Sequence, residues 1–251
     1  MIRKSILALL LAASGVSAHA ALTTGDIAFT SFNADEDGLS FVAFTTIAAN
    51  TTIYFGDNEW TGAAFNTGES FSKWVSGTND IAAGTVVRFA AYDVATPNAS
   101  VGTLSRETVA SSANWGISNS GETIYAYLGS SATAPTTFLA AITNGTFAAH
   151  GPLDNTGLTA GVNATTLPNS SDFYQYNGPR SGASSFAEYK TTVADIANWT
   201  GHNGSGNPDF ALTVPDTTAF SVTAVPEPDK YAMFLAGLGL MGFIARRRSS
   251  R

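Results

Sequence analysis

Between residues 21 and 225 the β-branched and aromatic residues come in short runs, each closed by Gly, Asn, Asp, Ser or Pro. Runs of that length are too short for buried helices and suit half-buried strands. Asp26–Phe32, Leu39–Thr46, Thr51–Gly56, Thr85–Tyr92, Thr123–Leu128 and Thr137–Ile142 are the expected strands. Phe210–Val214 alternates, placing Phe210, Leu212 and Val214 on one face, and Phe220–Val222 is expected to continue that sheet after a turn at Pro215-Asp216. Asp37-Gly38, Asn144-Gly145 and Asn177-Gly178 are turn signals.

One helix interrupts this pattern. Phe186, Tyr189, Val193 and Ile196 recur at helical spacing, and Ser185-Phe-Ala-Glu188 is a capping-box sequence; the helix is expected to end near Asn198-Trp199. Residues 150–184, rich in Gly, Asn, Ser and Pro, read as long loops, and no solenoid-length repeat occurs. Strands without long interleaved helices predict an all-β chain, an antiparallel β-sandwich.

Composition narrows the function classes. The 251 residues contain no cysteine, which removes a disulfide framework, a thiolate zinc site and a cysteine nucleophile. Hydrophobic residues make up 44%, enough for a core. Between residues 21 and 224 there are 17 acidic residues against five basic ones (Lys73, Arg88, Arg106, Arg180 and Lys190), a net charge of −12. Such a body repels nucleic acid and anionic membranes, so no nucleic-acid partner is expected.

The two ends read as addresses. Arg3 and Lys4, the apolar stretch Ile6–Ala13, and Ala18-His19-Ala20 follow the order of a secretory signal, with cleavage after Ala20 by signal peptidase. At the other end Val225-Pro226-Glu227-Pro228 precedes an apolar stretch, Tyr231–Ala245, and then Arg246, Arg247 and Arg248. Fifteen helical residues span about 22 Å, short against a hydrocarbon core of roughly 30 Å, and the arginines can snorkel outward. The basic cluster predicts a cytoplasmic C-terminus and hence an exported body. Gly237, Gly239 and Gly242 match a dinucleotide fingerprint by spacing alone. They lack its strand-turn-helix setting and read as packing glycines of a membrane helix.

This tail resembles the PEP-CTERM sorting signal of Gram-negative bacteria: a Pro-Glu-Pro motif, a short span and a basic cluster, departing only at Asp229-Lys230. The resemblance implies an inner-membrane intermediate, processing near Pro226–Pro228 by an exosortase-type enzyme, and release to the cell surface or extracellular matrix, often alongside exopolysaccharide. The body carries a second resemblance. Gly25–Ala34, Phe41–Phe44, Thr52–Asn58, Trp60-Thr-Gly62 and Ile117–Ile124 look like the lamin-tail-like immunoglobulin sandwich of bacterial surface proteins, over roughly Thr24 to Thr143. That implies an immunoglobulin-like fold and a non-catalytic structural or binding module. The expected organisation is a signal helix over 1–20, a sandwich ectodomain over 21–224, and a sorting segment over 225–251 with a transmembrane helix at 231–245.

Candidate sites in the body are few. Asn33-x-Asp35-x-Asp37-Gly38 copies the first half of an EF-hand loop, but position twelve is Phe44 rather than the bidentate Glu, so that reading fails. Asp35 and Asp37 remain candidates for a different calcium site with Asp57 or Glu59; the alternative is a solvated acidic turn. Asp57 and Glu59, at i and i+2 on an expected strand end, point to one face and could suit paired glycosidase carboxylates; a solvated face is the preferred reading. His150 and His202 are loop residues without a nucleophile elbow or a zinc-ligand set. Trp60 and Trp199 read as core. Tyr125 and Tyr127 lie opposite Ile124, Ala126 and Leu128, facing either outward or a second layer; facing outward they would be stacking surfaces for a carbohydrate. The reading is a structural or adhesive surface protein, not an enzyme, without a cofactor; the alternatives are a calcium-dependent carbohydrate-binding module and a secreted hydrolase.

Overall fold

The six runs read as strands before residue 145 all form strands, with bounds shifted by up to three residues. In a computed structural model of the chain, residues 20–109, 112, 114–203, 213–223, 233–238 and 240–241 are described. The strands are β1 (Ile27–Asn33), β2 (Gly38–Ala43), β3 (Thr52–Gly56), β4 (Phe71–Val75), β5 (Val86–Ala90), β6 (Asn98–Ala99), β7 (Thr103–Arg106), β8 (Thr123–Ser131) and β9 (Ala134–Thr143). Helix α1 (Phe147–His150), β10 (Ala164–Thr166), β11 (Ser171–Tyr176), α2 (Phe186–Ala194) and β12 (Trp199–Asn203) follow.

Two six-stranded sheets form a β-sandwich. The first runs β12-β11-β1-β2-β5-β6 and the second β10-β9-β8-β3-β4-β7. Aromatic rings fill the space between them: Phe55 of β3 meets Phe89 of β5 at 4.9 Å, and Phe41 of β2 meets Trp74 of β4 at 5.3 Å, both edge to face. Helix α2 packs against β1 and β10, which belong to different sheets, and so closes one side of the sandwich. It ends at Ala194, short of the expected Asn198, because Asp195 leaves helical backbone and a 3₁₀ turn follows. The capping is also displaced by one residue: Glu188 reaches back to the amide and hydroxyl of Ser184, and the Ser185 hydroxyl caps no amide.

Three expectations need correction. The sandwich is not wholly antiparallel, since β10 pairs in parallel with β9; the connection 144–163 is long enough to carry the chain back to the same end. The segment read as loops over 150–184 contains β10 and β11, and β11 lies between β12 and β1. Its polar start is buried because it is bonded: the Ala34 amide donates to the Asp172 carbonyl at 2.7 Å, and Asn119 Nδ2 to the Asp172 carboxylate at 3.0 Å. Finally, Val222 makes only an isolated parallel bridge to Ala183, and Val214 lies in no strand, while Phe210–Leu212 fall outside the described residues.

Ala18 and the rest of the signal segment before Ala20 lie outside the described residues, as do Val225, Pro226, Glu227, Pro228, Arg246, Arg247 and Arg248. Of the expected membrane helix at 231–245, residues 233–238 and 240–241 are described and helical, and no helix among the described residues is long and apolar enough to cross a membrane.

Phe55 touches Phe29, Phe41 and Phe89 across both sheets. Phe55→Ala is expected to cost about 3–5 kcal/mol in denaturant unfolding, the range for emptying an aromatic core site. A loss below about 1 kcal/mol would mean that the sheets are not held together here.

Candidate functional site

The antiparallel register brings the 34–37, 57–70, 114–122 and 144–146 loops to one end of the sandwich: Asn33 lies opposite Gly38, Gly56 opposite Phe71 and Tyr125, and Thr123 opposite Thr143. Acidic side chains gather there. Asp57 follows Gly56, where a Cβ would lie 2.9 Å from the Phe71 ring, so only glycine lets β3 deliver Asp57 so close to β4. Asp57 is 2% exposed, and its carboxylate accepts the Ser70 amide at 2.7 Å and the Ser70 hydroxyl at 3.1 Å. Burial outweighs those bonds and pushes its pKa up to about 7. Glu122, at the foot of β8, is also buried; it accepts the Ser118 amide at 3.1 Å, and its own amide donates to Asn144 Oδ1 at 2.8 Å. Burial, aided by the charge of Asp57, pushes Glu122 up to about 9. Tyr92, buried between them, is raised by burial and by both carboxylates. Burial at this end therefore favours the protonated carboxyl at Asp57 and Glu122.

The four calcium candidates do not converge. Asp37, in left-handed backbone at φ 53°, spends its carboxylate on the Ile117 amide, and burial raises it to about 6. Asp57 is committed to Ser70, and Glu59 accepts Asn66 Nδ2. Asp35 sits in the turn beside Asn33, whose side-chain oxygen takes the Asp35 and Glu36 amides, both at 3.1 Å. Among the described residues no group of three or more His, Asp or Glu is arranged to hold a metal ion. Asp57 and Glu59 also part company as a carboxylate pair, one facing Ser70 in the interior and the other Asn66 in the loop.

Tyr125 and Tyr127 fall opposite Ile124 and Ala126, but they face a second buried layer and not solvent. Both are fully buried with Trp60, Phe71, Phe138, Phe147 and Leu158, and Phe65 packs on Tyr127 at 5.1 Å. Their hydroxyls bond to the carbonyls of Pro152 and Ala132. They offer no stacking surface for a sugar. Trp60 and Trp199 are core residues, as expected.

The opposite end carries the tail. Residues 213–223 form a strap over the body: the Phe220 amide donates to the Gly84 carbonyl at 2.8 Å, Ser221 to Arg180 at 2.8 Å, and Thr223 to Ala183 at 2.8 Å. The Phe220 ring is buried beside Phe44, Tyr176 and Tyr189. Arg180 lies over that ring at 4.9 Å and pairs with Asp216 at 3.1 Å. Gly84, at φ +88°, is required by this contact, because a Cβ there would collide with the Phe220 carbonyl. Pro226 is three residues beyond Thr223, a reach of at most about 11 Å. The strap was not legible as such; Phe220 within a polar, Thr-rich stretch is the one signal.

A family model described as the PEP-CTERM protein-sorting motif matches residues 224–248. No curated protein and no solved structure matches the chain, so the lamin-tail-like and immunoglobulin-like resemblance finds no support beyond the two-sheet architecture. The chain thus carries, directly after the strap, a sorting motif that suggests an exported, exosortase-sorted protein.

Two predictions follow from this geometry. Asp57 and Glu122 bind protons more tightly folded than unfolded, so their stabilisation is full below about pH 4 and is lost as pH rises toward 7 and 9. The melting temperature is expected to fall between pH 5 and pH 9, and Asp57→Asn with Glu122→Gln to flatten that fall, with an effect on the order of a few kcal/mol at pH 9; a melting temperature that rises over this range would contradict it. Phe220→Ala should strip hydrogen-exchange protection from the Ser221 and Thr223 amides while leaving β1 and β2 protected. Unchanged protection at those two amides would show that the ring does not hold the strap.

Proposed function

We propose that this chain is an exported, non-enzymatic protein, sorted to the cell surface or extracellular matrix, with a structural or adhesive role linked to exopolysaccharide. The observation that carries the reading is the sorting motif at 224–248, beginning one residue after a strap bonded to the body. Signal peptidase removes the leader after Ala20. The apolar segment at 231–245 then arrests the chain in the inner membrane with Arg246–Arg248 in the cytoplasm. Its described turns support this step: Met233, Phe234, Leu235, Leu240 and Met241 are each about two-thirds exposed or more, which is apolar surface that lipid would cover. An exosortase-type enzyme then processes the chain near Pro226-Glu227-Pro228.

The strap gives this sequence a geometry. Tyr231 is eight residues beyond Thr223, so the strap end of the body stays within about 29 Å of the membrane surface. The acidic end points the other way, and a body of net charge −12 stands off anionic headgroups. A calcium-dependent module and a hydrolase are the poorer readings, since the carboxylates each would need are separately committed.

The test is a variant with Pro226→Ala, Glu227→Ala and Pro228→Ala, expressed in the native host. It is expected to remain in the inner membrane with its tail, while the parent chain reaches the surface. Equal surface yield of the two would contradict exosortase-type sorting.

A further inference from the structure

The last part of the strap has the composition of a segment that proteases cut. Asp216-Thr-Thr-Ala219 and Ser221-Val-Thr223 are short side chains, and every residue over 216–223 except Phe220 is exposed. Exposed stretches of small and polar residues are the usual sites of nicking unless burial and hydrogen bonding hold their backbone. Here the backbone is held. The Asp216 amide donates to Gln175 Oε1 and the Thr218 amide to the Asp216 carboxylate, both at 2.8 Å. The amides of Phe220, Ser221 and Thr223 donate to the carbonyls of Gly84, Arg180 and Ala183. Carbonyls are engaged as well. Arg180 donates from Nη2 to the Asp216 carbonyl at 3.1 Å and from Nη1 to the Thr218 carbonyl at 2.9 Å, and the Tyr189 hydroxyl donates to the Ser221 carbonyl at 2.7 Å.

These partners are far apart in the chain. Gly84 precedes β5, Gln175 and Tyr176 lie on β11, and Tyr189 lies on α2. The Phe220 ring, 3% exposed, sits among Phe44, Tyr176 and Tyr189. The slot that receives it is complete only when β2, β11 and α2 have assembled, so a docked strap belongs to a folded body.

Extended peptides are recognised largely through their main-chain N–H and C=O groups, and an endopeptidase needs the main chain on both sides of the bond it cuts. A main chain already bonded to the body reaches such an enzyme only through local opening, and the rate of cutting then follows the open population. Only Ala224 and Val225 lie between the last bonded residue of the strap and Pro226. We propose that the docked strap sets the N-terminal limit of processing: it withholds the chain up to Thr223 and confines cleavage to the residues after it. Phe220 is the positioning residue that keeps the strap in its slot. The proposal rests on the exosortase-type processing above and adds what fixes the cut from the side of the body. The released body then keeps its strap, with a C-terminus that follows bonded backbone.

The experiment has two arms. In the first, the full-length protein in detergent is treated with subtilisin, which accepts most sequences, and cuts are located by intact mass. The parent is expected to resist cutting within 216–223. Phe220→Ala is expected to be cut there at least tenfold faster while β1 and β2 stay uncut, and Phe220→Leu, which refills much of the slot, to fall between the two. Should Phe220→Ala fail to fold, Asp216→Ala, which takes an exposed partner from Arg180, is expected to raise the rate several-fold at an unchanged melting temperature. In the second arm, the exported protein is recovered from the native host. The parent is expected to end beyond Thr223, and Phe220→Ala to show additional ends within 216–223. Equal subtilisin rates for the parent and Phe220→Ala, a parent that ends before Thr223, or an unchanged single end in Phe220→Ala would each overturn the proposal. A parent that keeps its whole tail would instead remove the exosortase reading, and the subtilisin arm would still decide whether the strap shields the chain.

Discussion

Along Thr123–Tyr127 and Phe138–Thr143 the second sheet is buried on both faces, and the remaining features of the body depend on that. Its inner face meets the first sheet through Phe55, Trp74, Ile124 and Ala126. Its outer face holds Phe71, Tyr125, Tyr127 and Phe138, rings too large and too numerous to leave in water. A sheet with two apolar faces needs two covers. The first sheet supplies one; the 57–70 loop and the 144–164 connection supply the other, through Trp60, Phe65, Phe147 and Leu158. The loops at that end are therefore part of the packing. Asp57 and Glu122 continue the inner alternation of Phe55 and of Ile124 and Ala126, and lie at the end of the inter-sheet core beside Tyr92, whose electrostatics both of them affect.

The two ends of the sandwich divide the work. One gathers Asp37, Asp57, Glu69 and Glu122; the other receives the strap, where Phe220 enters between Tyr176 and Tyr189 and Arg180 lies over its ring. The sorting motif thus begins, in sequence, directly after the strap at the end remote from the acidic loops. In the proposed membrane-bound intermediate the strap end faces the lipid, and the acidic loops face outward. That arrangement keeps negative charge away from anionic headgroups and leaves the loops accessible.

Much of this was legible in the chain, for identifiable reasons. β1, β2, β3, β5, β8 and β9 announce themselves because each is a run of aromatic and β-branched residues bounded by turn formers. β4 and β11 do not, since Lys73 on the one and Asp172 and Gln175 on the other break the pattern; what holds β11 inside is hydrogen bonding to Ala34 and Asn119, which composition does not reveal. The alternation along β8 placed Tyr125 and Tyr127 on one face, but what covers that face comes from residues as distant as Trp60 and Leu158. The same holds for the candidate sites. The sorting motif is linear and can be read directly. Asp57 looked like a free carboxylate beside Glu59 because its partner, Ser70, lies across a turn.

If a folded body is exported and then separated from its tail, the intact mass of the protein recovered from the outside of native cells will be that of a chain that begins at Ala21 and ends close to the Pro226–Pro228 motif, lacking the apolar segment and the arginines. A mass that retains residues 231–251 would contradict it and would make the protein a permanently tethered membrane domain.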